Sequence, residues 1–350
     1  MEDYSTRAYL SAGEVAAYLG VTVRDVHGLV RCNALKSYKS AGGQYRFALS
    51  DVKKAKADGH AAAPGNAAPN PAKTARKNEV CIWGTRQELY LGDSRAMNEL
   101  RDDSAHLAVT SPPYFNAKMY SQDSEKDLGN IHDLDTWLFE IGKVWKEVFR
   151  VLQPGRKFFL NIMNLPVRNK NSFRTLNLVG RSVDLCEETG FVFKRDIIWH
   201  KTNGVRAHFG TYPYPGGILL NNMHEFILEF SKPEKSGAKK YAHVSAADKE
   251  QSKLDKDFWL SIKNSDVWTM KPEKSGDGRI HVAPFPVELP ARLIKAYSFV
   301  GETVLDPFCG SGTTLLAAAL QQRNGVGYEL NEKFVAHSID RLELENGKLL

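Results

Sequence analysis

The stretch TVLDPFCGSGTTLLAAALQQRNGVGYELN at residues 303–331 predicts the fold of the larger part of the chain. An apolar strand ends at Asp306, a turn containing Gly310 and Gly312 follows, and a helical segment leads to a second strand ending in Glu329. In nucleotide-binding sites the glycines let backbone N–H groups approach the ligand, and the acid bonds ribose hydroxyls. The pattern therefore predicts a nucleotide site on a parallel sheet.

The spacing of the glycines narrows the ligand. Gly312 is followed by Thr-Thr-Leu, so the dinucleotide pattern G-x-G-x-x-G is absent, and no G-x-x-x-x-G-K-[ST] phosphate loop is present. We expect a ligand that carries ribose and adenine without a pyrophosphate. A structural strand–helix turn is the alternative, which the acid of the second strand disfavours.

Strand-like and helix-like segments alternate through the rest of the body, which predicts an α/β fold with a parallel sheet. Helical patterns include Leu134–Leu152 and Pro290–Ser298, whereas residues 232–280 have weak periodicity and are predicted to be an insertion outside the core. Seven strands are predicted: Glu88–Leu91, His106–Thr110, Lys157–Ile162, Asp196–His200, Glu225–Ser231, Thr303–Asp306 and Val326–Leu330.

The composition divides the chain into three parts. Residues 57–80 are rich in Ala, Pro, Gly and Asn without apolar periodicity, which indicates a linker. It separates a head, residues 1–56, from a body, residues 81–350. The net charge of +6 permits a polyanionic partner without establishing one. Four scattered cysteines favour neither disulfides nor a metal site, and the absence of long apolar runs favours a cytoplasmic protein without a membrane anchor.

The head has the pattern of a small DNA-docking domain. Ser11 can cap a first helix, Gly20 can form the turn to a second, and Lys36–Phe47 can form a basic hairpin. The string resembles the winged helix-turn-helix of the MerR and excisionase families, whose wing has a similar ending. That resemblance implies a DNA contact for Arg46. A helical adaptor is the alternative.

A second unusual stretch is VTSPPYFN at residues 109–116, which alone could be a rigid strand exit. Together with LYLGDS (89–94), HVAPFP (281–286), DPFCGSGTT (306–314) and GYELN (327–331), it resembles the β class of S-adenosylmethionine-dependent DNA amino-methyltransferases over residues 85–345. The resemblance implies S-adenosylmethionine as cofactor and a permuted, Rossmann-like sheet of seven strands. In the resembled class a proline often follows the histidine of the motif at 281–286, whereas here Val282 follows His281. The implied cofactor residues are Asp306, Phe308, Gly310, Gly312, Thr313, Glu329, Asp93, His281, Pro284 and Phe285.

The chemistry of amine methylation explains the stiffness of the turn. The Ser111 hydroxyl and the Pro112 carbonyl can accept the amine protons, and Pro113 helps to lock the backbone that aims them. Tyr114 offers a ring for a base flipped out of the duplex. Serine in the first position resembles enzymes that methylate cytosine N4, and adenine N6 is the alternative. Carbon-5 methylation would need Pro-Cys at this turn, which is absent.

Basic and aromatic residues outside the turn are candidates for contact with duplex DNA. Arg168, Lys170 and Arg174 lie in VRNKNSFR, which predicts a phosphate-binding loop, or an ordinary solvated loop. Trp199 is a candidate for stacking on DNA, with internal packing as the alternative. Residues 232–280 lie where the resembled class carries its target-recognition region.

Other functions remain open at the level of sequence. The same fold could methylate RNA or protein, although the helix-turn-helix favours duplex DNA and nothing indicates a protein-recognition module. A transcription regulator with a cofactor-sensing body is another reading, which the complete TSPPY turn disfavours. If the chain is the modification half of a restriction system, its partner is a cognate restriction endonuclease.

Overall fold

A computed structural model of the protein groups residues 1–73 and 114–141 into one compact unit and residues 74–113 and 142–350 into another. The described residues are 8–21, 26, 29–30, 34–39, 45–60, 75–115, 127–169, 172–205, 220–234, 241–273 and 285–347.

The first unit contains a small three-stranded sheet with the order β1-β3-β2. Its elements are β1 (Tyr9–Leu10), α1 (Ala12–Leu19), β2 (Tyr38–Lys39), β3 (Tyr45–Ala48) and α2 (Leu49–Ala55), followed by a π-helical turn at Lys56–His60. The predicted cap at Ser11 is confirmed and is a capping box, because the Glu14 N–H donates to Ser11 Oγ and the Ser11 N–H donates to the Glu14 carboxylate. The hairpin is present in β2 and β3, whereas its glycine tip and most of the second predicted helix lie outside the described residues.

Segments of the body share this first unit. Phe139 packs against the head cluster formed by residues such as Val15, Leu19 and Phe47. A Cβ added to Gly13 would meet the Phe139 ring at 2.3 Å, so this contact requires glycine at position 13.

The second unit is built on one nine-stranded sheet with the order β12-β10-β11-β7-β6-β13-β14-β5-β4. Its early strands are β4 (Arg76–Ile82), β5 (Thr85–Leu91), β6 (Ala105–Thr110) and β7 (Leu152–Ile162), and a separate hairpin consists of β8 (Leu165–Asn169) and β9 (Ser172–Leu176). The later strands of the sheet are β10 (Val192–Val205), β11 (Asn222–Ser231), β12 (Val267–Met270), β13 (Thr303–Asp306) and β14 (Asn324–Glu329). The helices are α3 (Leu134–Val151, shared with the first unit), α4 (Leu178–Thr189), α5 (Ala246–Gln251), α6 (Lys256–Lys263), α7 (Glu288–Tyr297), α8 (Thr313–Leu320) and α9 (Glu332–Gly347).

The predicted α/β fold is confirmed, with a larger sheet than expected. All seven predicted strands lie in the contiguous series β5-β14-β13-β6-β7-β11-β10. The strands from β5 to β7 are parallel, and β11 is antiparallel to both of its neighbours. The two additional strands, β4 and β12, extend the sheet at its edges.

Both edge strands correct details of the sequence analysis. Arg76–Ile82 pairs antiparallel with β5, so the sheet begins inside the predicted linker 57–80. Val267–Met270 pairs in parallel with β10, and Trp268 is buried in the main core, so residues 232–280 are not wholly outside it. The charged residues of β4 conceal a strand that pairs with β5 across a tight turn, whereas the short β12 becomes a strand only by pairing with the distant β10.

Helices cover both faces of the sheet, as buried parallel strands require. On one face, Val109 and Phe159 pack with Leu289 and Leu293 of α7 and with Ala317 of α8. On the other face, Trp145 of α3 lies against Phe158, with ring centroids 5.3 Å apart. No helix among the described residues is long and apolar enough to cross a membrane.

The strand directions gather the predicted site residues. Because β5, β14, β13, β6 and β7 are parallel, their carboxyl ends share one edge of the sheet, where ligands bind in open α/β folds. Thr110, Asp306 and Glu329 end three of these strands, and β11 begins at the same edge because it runs in the opposite direction.

Candidate active site

The TSPPY turn leaves the sheet at the end of β6. Thr110 is fully buried, Pro112 is buried, and Ser111 and Pro113 are partly exposed. The ring of Pro112 fixes its φ, and the following Pro113 restricts its ψ, so the carbonyl of Pro112 has little freedom. Tyr114 follows directly and is half-buried. The turn therefore combines rigid backbone with a hydroxyl that solvent or a ligand can reach.

Asp306 connects this turn to the glycine loop. Its carboxylate accepts hydrogen bonds from Thr110 Oγ1 at 2.6 Å, Thr314 Oγ1 at 2.6 Å and the Phe308 N–H at 3.0 Å. Burial raises the pKa of Asp306 to about 6, and the three hydrogen bonds oppose that rise. Since only 1% of Asp306 is exposed, its side chain joins β6, β13 and α8 inside the protein.

The glycine loop itself has the backbone that its sequence predicts. Gly310 and Gly312 have φ angles of +49° and +74°, in the left-handed region that favours glycine. Gly312 precedes α8, and a Cβ added there would lie 3.1 Å from Ser338. The Ser338 hydroxyl donates to the Gly310 carbonyl at 2.7 Å. Thr313, at the first position of α8, is buried and accepts a bond from Arg341.

Glu329 holds the loop from the neighbouring strand. Its carboxylate accepts hydrogen bonds from the Gly310 N–H at 3.1 Å and the Asn331 N–H at 2.9 Å. The Glu329 carbonyl also accepts a bond from the Gly92 N–H at the end of β5. This acid is therefore fixed beside the glycine loop, where the sequence predicts a ribose contact.

The other predicted cofactor residues are placed as follows. Asp93 follows β5 and forms a bidentate ion pair with Arg95, whose Nη2 lies 2.7 Å from its Oδ2. Phe308 is half-buried and meets Trp145 edge to face. Phe285 is buried in the core cluster beneath α7. His281 and Pro284 lie outside the described residues.

The predicted stacking of Trp199 on DNA is wrong. Trp199 is only 3% exposed, its Nε1–H donates to the Met270 carbonyl at 3.1 Å, and it belongs to the core cluster beneath α7. A ring held in this way cannot stack on DNA. The aromatic character that suggested stacking instead serves packing against the edge strand β12.

Of the remaining predicted DNA contacts, Arg46, Arg168 and Arg174 lie on two hairpins. Arg46 is in β3 of the head, half-buried, and donates to the Tyr45 carbonyl. Arg174 is exposed on β9, opposite Val167 of β8. Arg168 lies in β8, although its side chain and all of Lys170 are outside the described residues.

A second group of titratable side chains lies at the opposite edge of the sheet, where His106, His243 and Glu302 come together. His106 Nδ1 accepts a bond from the Thr303 N–H, so the neutral ring carries its proton on Nε2 and has no lone pair left for a metal ion. Glu302 is already paired with the buried guanidinium of Arg156. Burial, then the charges of Arg156 and His243, lowers the pKa of His106 to about 4. We assign this group to the stability of the fold.

The structure adds a buried polar chain at the catalytic edge that the sequence analysis missed. Asn161 Nδ2 donates to Glu225 Oε2 at 2.6 Å, and Glu225 is paired with Lys201. These residues lie near the end of β7, near the start of β11 and in β10, respectively. The amide of Asn161 within the apolar run at 158–162 was the available signal in the sequence. Its meeting with Glu225 and Lys201 could be known only from the strand order.

Comparisons with known proteins agree with this arrangement. A family model described as DNA methylase matches residues 105–340, and a helix-turn-helix domain model matches residues 9–59. The type II methyltransferase M.MjaI of Methanocaldococcus jannaschii is 32% identical over 274 residues, covering 71% of this chain and 88% of that protein. M.BglI of Bacillus subtilis, also a type II methyltransferase, is 39% identical over 309 residues, covering 74% of this chain and 86% of that protein.

Among solved structures, TTHA0409 of Thermus thermophilus, assigned as a DNA modification methylase and complexed with S-adenosyl-L-methionine, superimposes with a TM-score of 0.58. It is 32% identical, and the match covers 73% of this chain and 93% of that one. The chain belongs to the DNA methylase family with N4 and N6 amine specificities. This result confirms the predicted family, the helix-turn-helix head and S-adenosylmethionine as the cofactor.

The residues of the glycine loop fit that cofactor. Gly310 and Gly312 hold a tight backbone that a Cβ would crowd or strain, and Glu329 is fixed next to it. A loop of this kind can accept a nucleoside against its backbone, with the acid on the ribose.

Proposed function

We propose that this protein transfers the methyl group of S-adenosylmethionine to the exocyclic N4 amine of a cytosine flipped out of duplex DNA, as the modification enzyme of a restriction system. The observation that carries the proposal is the Thr110–Asp306 hydrogen bond, which ties the TSPPY turn to the glycine loop at one sheet edge. Acceptors for the amine and the loop for the cofactor are thereby adjacent.

The residues of the turn prepare the amine for attack. Its nitrogen lone pair is delocalised into the base ring, and acceptors on its two protons, the Ser111 hydroxyl and the Pro112 carbonyl, draw it out of conjugation. Pro112 is buried, and its φ and ψ are restricted by its own ring and by Pro113, so its carbonyl is already aimed. Tyr114 supplies a ring that can stack on the flipped base. The bound cofactor supplies an electrophilic methyl group on a sulfonium, and the amine loses one proton after it is methylated.

The cofactor is held by the loop and strand ends. The backbone around Gly310 and Gly312 receives the nucleoside, Glu329 receives the ribose hydroxyls, and Asp93 and Phe308 form the neighbouring walls. Because Thr313 and Asp306 are buried and hydrogen bonded within the protein, we give them the role of shaping the loop.

Cytosine N4 is preferred over adenine N6 because serine occupies the first position of the turn, as in the N4 enzymes that the sequence resembles. A second candidate, methylation of adenine N6, uses the same acceptors on a larger base. Only the identity of the methylated base distinguishes these two candidate reactions.

The head and the body's segment VRNKNSFR (167–174) would each contact duplex DNA. We propose phosphate contacts for Arg46 in the head and for Arg168, Lys170 and Arg174 in the body. Neutralising one such contact reduces the slope of log affinity against log salt by about 1. Fluorescence anisotropy of a labelled duplex from 50 to 200 mM salt (about the range in which such slopes are resolved) would test Arg174→Ala against wild type.

The proposed reaction is tested in cells. DNA from cells expressing the wild-type chain or Ser111→Ala is digested to nucleosides and quantified by mass spectrometry. N4-methylcytosine in the wild type that is lost in the variant supports the proposal. N6-methyladenine in its place would overturn the assignment of the base. Cleavage of the unmodified DNA by a co-expressed nuclease encoded beside this protein would support the proposed restriction endonuclease partner.

A further inference from the structure

The position of Asn161 beside the catalytic turn points to a specific role. β6 and β7 are parallel with Thr110 opposite Leu160, so Ser111, directly after the end of β6, and Asn161, in β7, each come one residue later. Adjacent strands lie about 4.8 Å apart. Val109 and Phe159 both belong to the cluster beneath α7, and residues two further along an extended chain follow on the same face.

The orientation of the Asn161 amide is set by a charged pair behind it. Its Nδ2 donates to Glu225 Oε2 at 2.6 Å, and Glu225 is in turn paired with Lys201. The Lys201 ammonium lies 5.1 Å from the Trp199 ring centroid, and that ring is fixed in the core. A carboxylate accepts and does not donate, so the amide cannot turn its oxygen toward Glu225.

The other end of this amide lacks a partner. Asn161 is 3% exposed, and its Oδ1 has no hydrogen-bond partner within the part of the chain that the structure describes. Buried acceptors without a partner are uncommon in native proteins, because burial removes the water that would otherwise bond them. An acceptor of this kind at the substrate edge indicates a partner that arrives or rotates when substrate binds.

The chemistry of Ser111 supplies that partner. A hydroxyl has one proton and two lone pairs, so it accepts from the target amine only if its own proton points to another acceptor. We propose that Asn161 Oδ1 accepts a hydrogen bond from the Ser111 hydroxyl when the base is bound. This contact orients the serine lone pairs toward the amine. Asn161 is therefore a positioning residue that acts through Ser111, and Glu225 and Lys201 fix its orientation.

This inference rests on the proposed function, and the chain provides a matched control for it. Glu229 lies on the same strand as Glu225, is also buried, and is paired with Lys157 at 2.6 Å. It is four residues farther from the catalytic edge, which at about 3.4 Å per residue is roughly 14 Å. Loss of the Glu229 pair should lower stability without changing the orientation of Ser111.

The test uses the full chain, S-adenosylmethionine and sheared genomic DNA from a methylation-deficient bacterial strain. We expect Asn161→Leu to lower the single-turnover rate roughly 10- to 100-fold, because an orientation of the reacting groups is lost. The Kd for S-adenosylmethionine by calorimetry and the KM for DNA should stay within about twofold. Glu229→Gln should lower the melting temperature while its rate stays within about twofold of wild type.

A rescue distinguishes orientation from packing. Asn161→Asp sets a carboxylate against Glu225 and should also be slow, because two carboxylates that share a buried site repel. Adding Glu225→Gln restores an acceptor at 161 and a donor at 225 with the original net charge, and should recover most of the rate. This comparison remains informative if Asn161→Leu does not fold.

Three results would overturn the inference while the proposed function stands: an active wild type with an equally active Asn161→Leu variant, a loss confined to KM or to the cofactor Kd, or no recovery in the double variant. A wild type that methylates no base, indistinguishable from Ser111→Ala, would instead overturn the proposed function and this inference with it.

Discussion

Thr110→Val removes one hydroxyl from the buried contact between the catalytic turn and the glycine loop and replaces it with a methyl group of similar size. In the native protein this hydroxyl donates to Asp306 Oδ1 at 2.6 Å, and both residues are almost fully buried. The variant leaves Asp306 with two donors, the Thr314 hydroxyl and the Phe308 N–H.

The expected loss depends on pH. The pKa of Asp306 is about 6 against an ordinary 3.8, so its ionisation takes stability from the fold as the pH rises through this interval. The Thr110 bond favours the ionised form, and without it the folded pKa rises further. At pH 8 we expect a loss of about 1.5–3 kcal/mol, the value of a bond to a charged group. At pH 5, where the carboxyl is mostly protonated, the loss should be about 0.5–1.5 kcal/mol.

Guanidinium unfolding followed by tryptophan fluorescence measures the loss at pH 5 and at pH 8. The two losses should differ by about 1 kcal/mol or more, because a hydrogen bond to a neutral carboxyl is weaker than one to a carboxylate. Thr85→Val is the control, because the buried Thr85 hydroxyl bonds neutral groups: it donates to the Ile82 carbonyl at 2.7 Å and accepts from Gln87 Nε2 at 2.9 Å. Loss of these two bonds should cost about 1–3 kcal/mol, the same at both pH values because neither partner titrates. Equal losses for Thr110→Val at pH 5 and pH 8 would refute the account of Asp306.

Three further predictions concern the loop, the core and the opposite edge of the sheet. Gly312→Ala should weaken S-adenosylmethionine binding in calorimetry and lower the stability of the fold by about 1–3 kcal/mol, because a φ of +74° is strained for alanine and the Cβ crowds Ser338. The control is Gly301→Ala, which has a φ of +77° and open space around the Cβ and should leave the cofactor Kd unchanged. Trp199→Phe should cost about 1 kcal/mol of stability through its lost indole bond and leave the Kd for duplex DNA unchanged; weaker DNA binding by a fully folded variant would restore a DNA contact. Because the pKa of His106 is lowered to about 4, the fold loses stability as the pH falls below 6.5, by roughly 2 kcal/mol at pH 5 relative to pH 8. His106→Gln should lack this component in urea titrations at the two pH values, and an unchanged pH dependence would contradict it.

The parts of the fold that depend on local pattern were predictable from the sequence. Val304 and Leu305 form a short apolar run before Asp306, and the glycines after it adopt the positive φ angles that their type allows. The capping box at Ser11 also depends on residues only three apart. Such features are encoded within a few residues and survive in any context that keeps the strand or helix.

Features that depend on distant pairing were not predictable in this way. Thr110 and Asp306 are separated by 196 residues, and Asn161 and Glu225 by 64, so their bonds exist only once the strand order is fixed. The burial of Trp199 similarly depends on a strand from residues 267–270 that pairs in parallel beside it. A single sequence carries the types of these residues and not their partners.

Amine methylation of DNA at the TSPPY turn can be measured with purified protein and S-adenosylmethionine carrying a deuterated methyl group. The protein is incubated with methylation-free duplex DNA, which is then digested to nucleosides and analysed by mass spectrometry, with Ser111→Ala in parallel. We expect deuterated N4-methylcytosine with the wild type and a large loss of this product with the variant. Wild-type protein that binds the cofactor in calorimetry but leaves no deuterated methyl group on any base, or a Ser111→Ala variant as active as wild type, would contradict it.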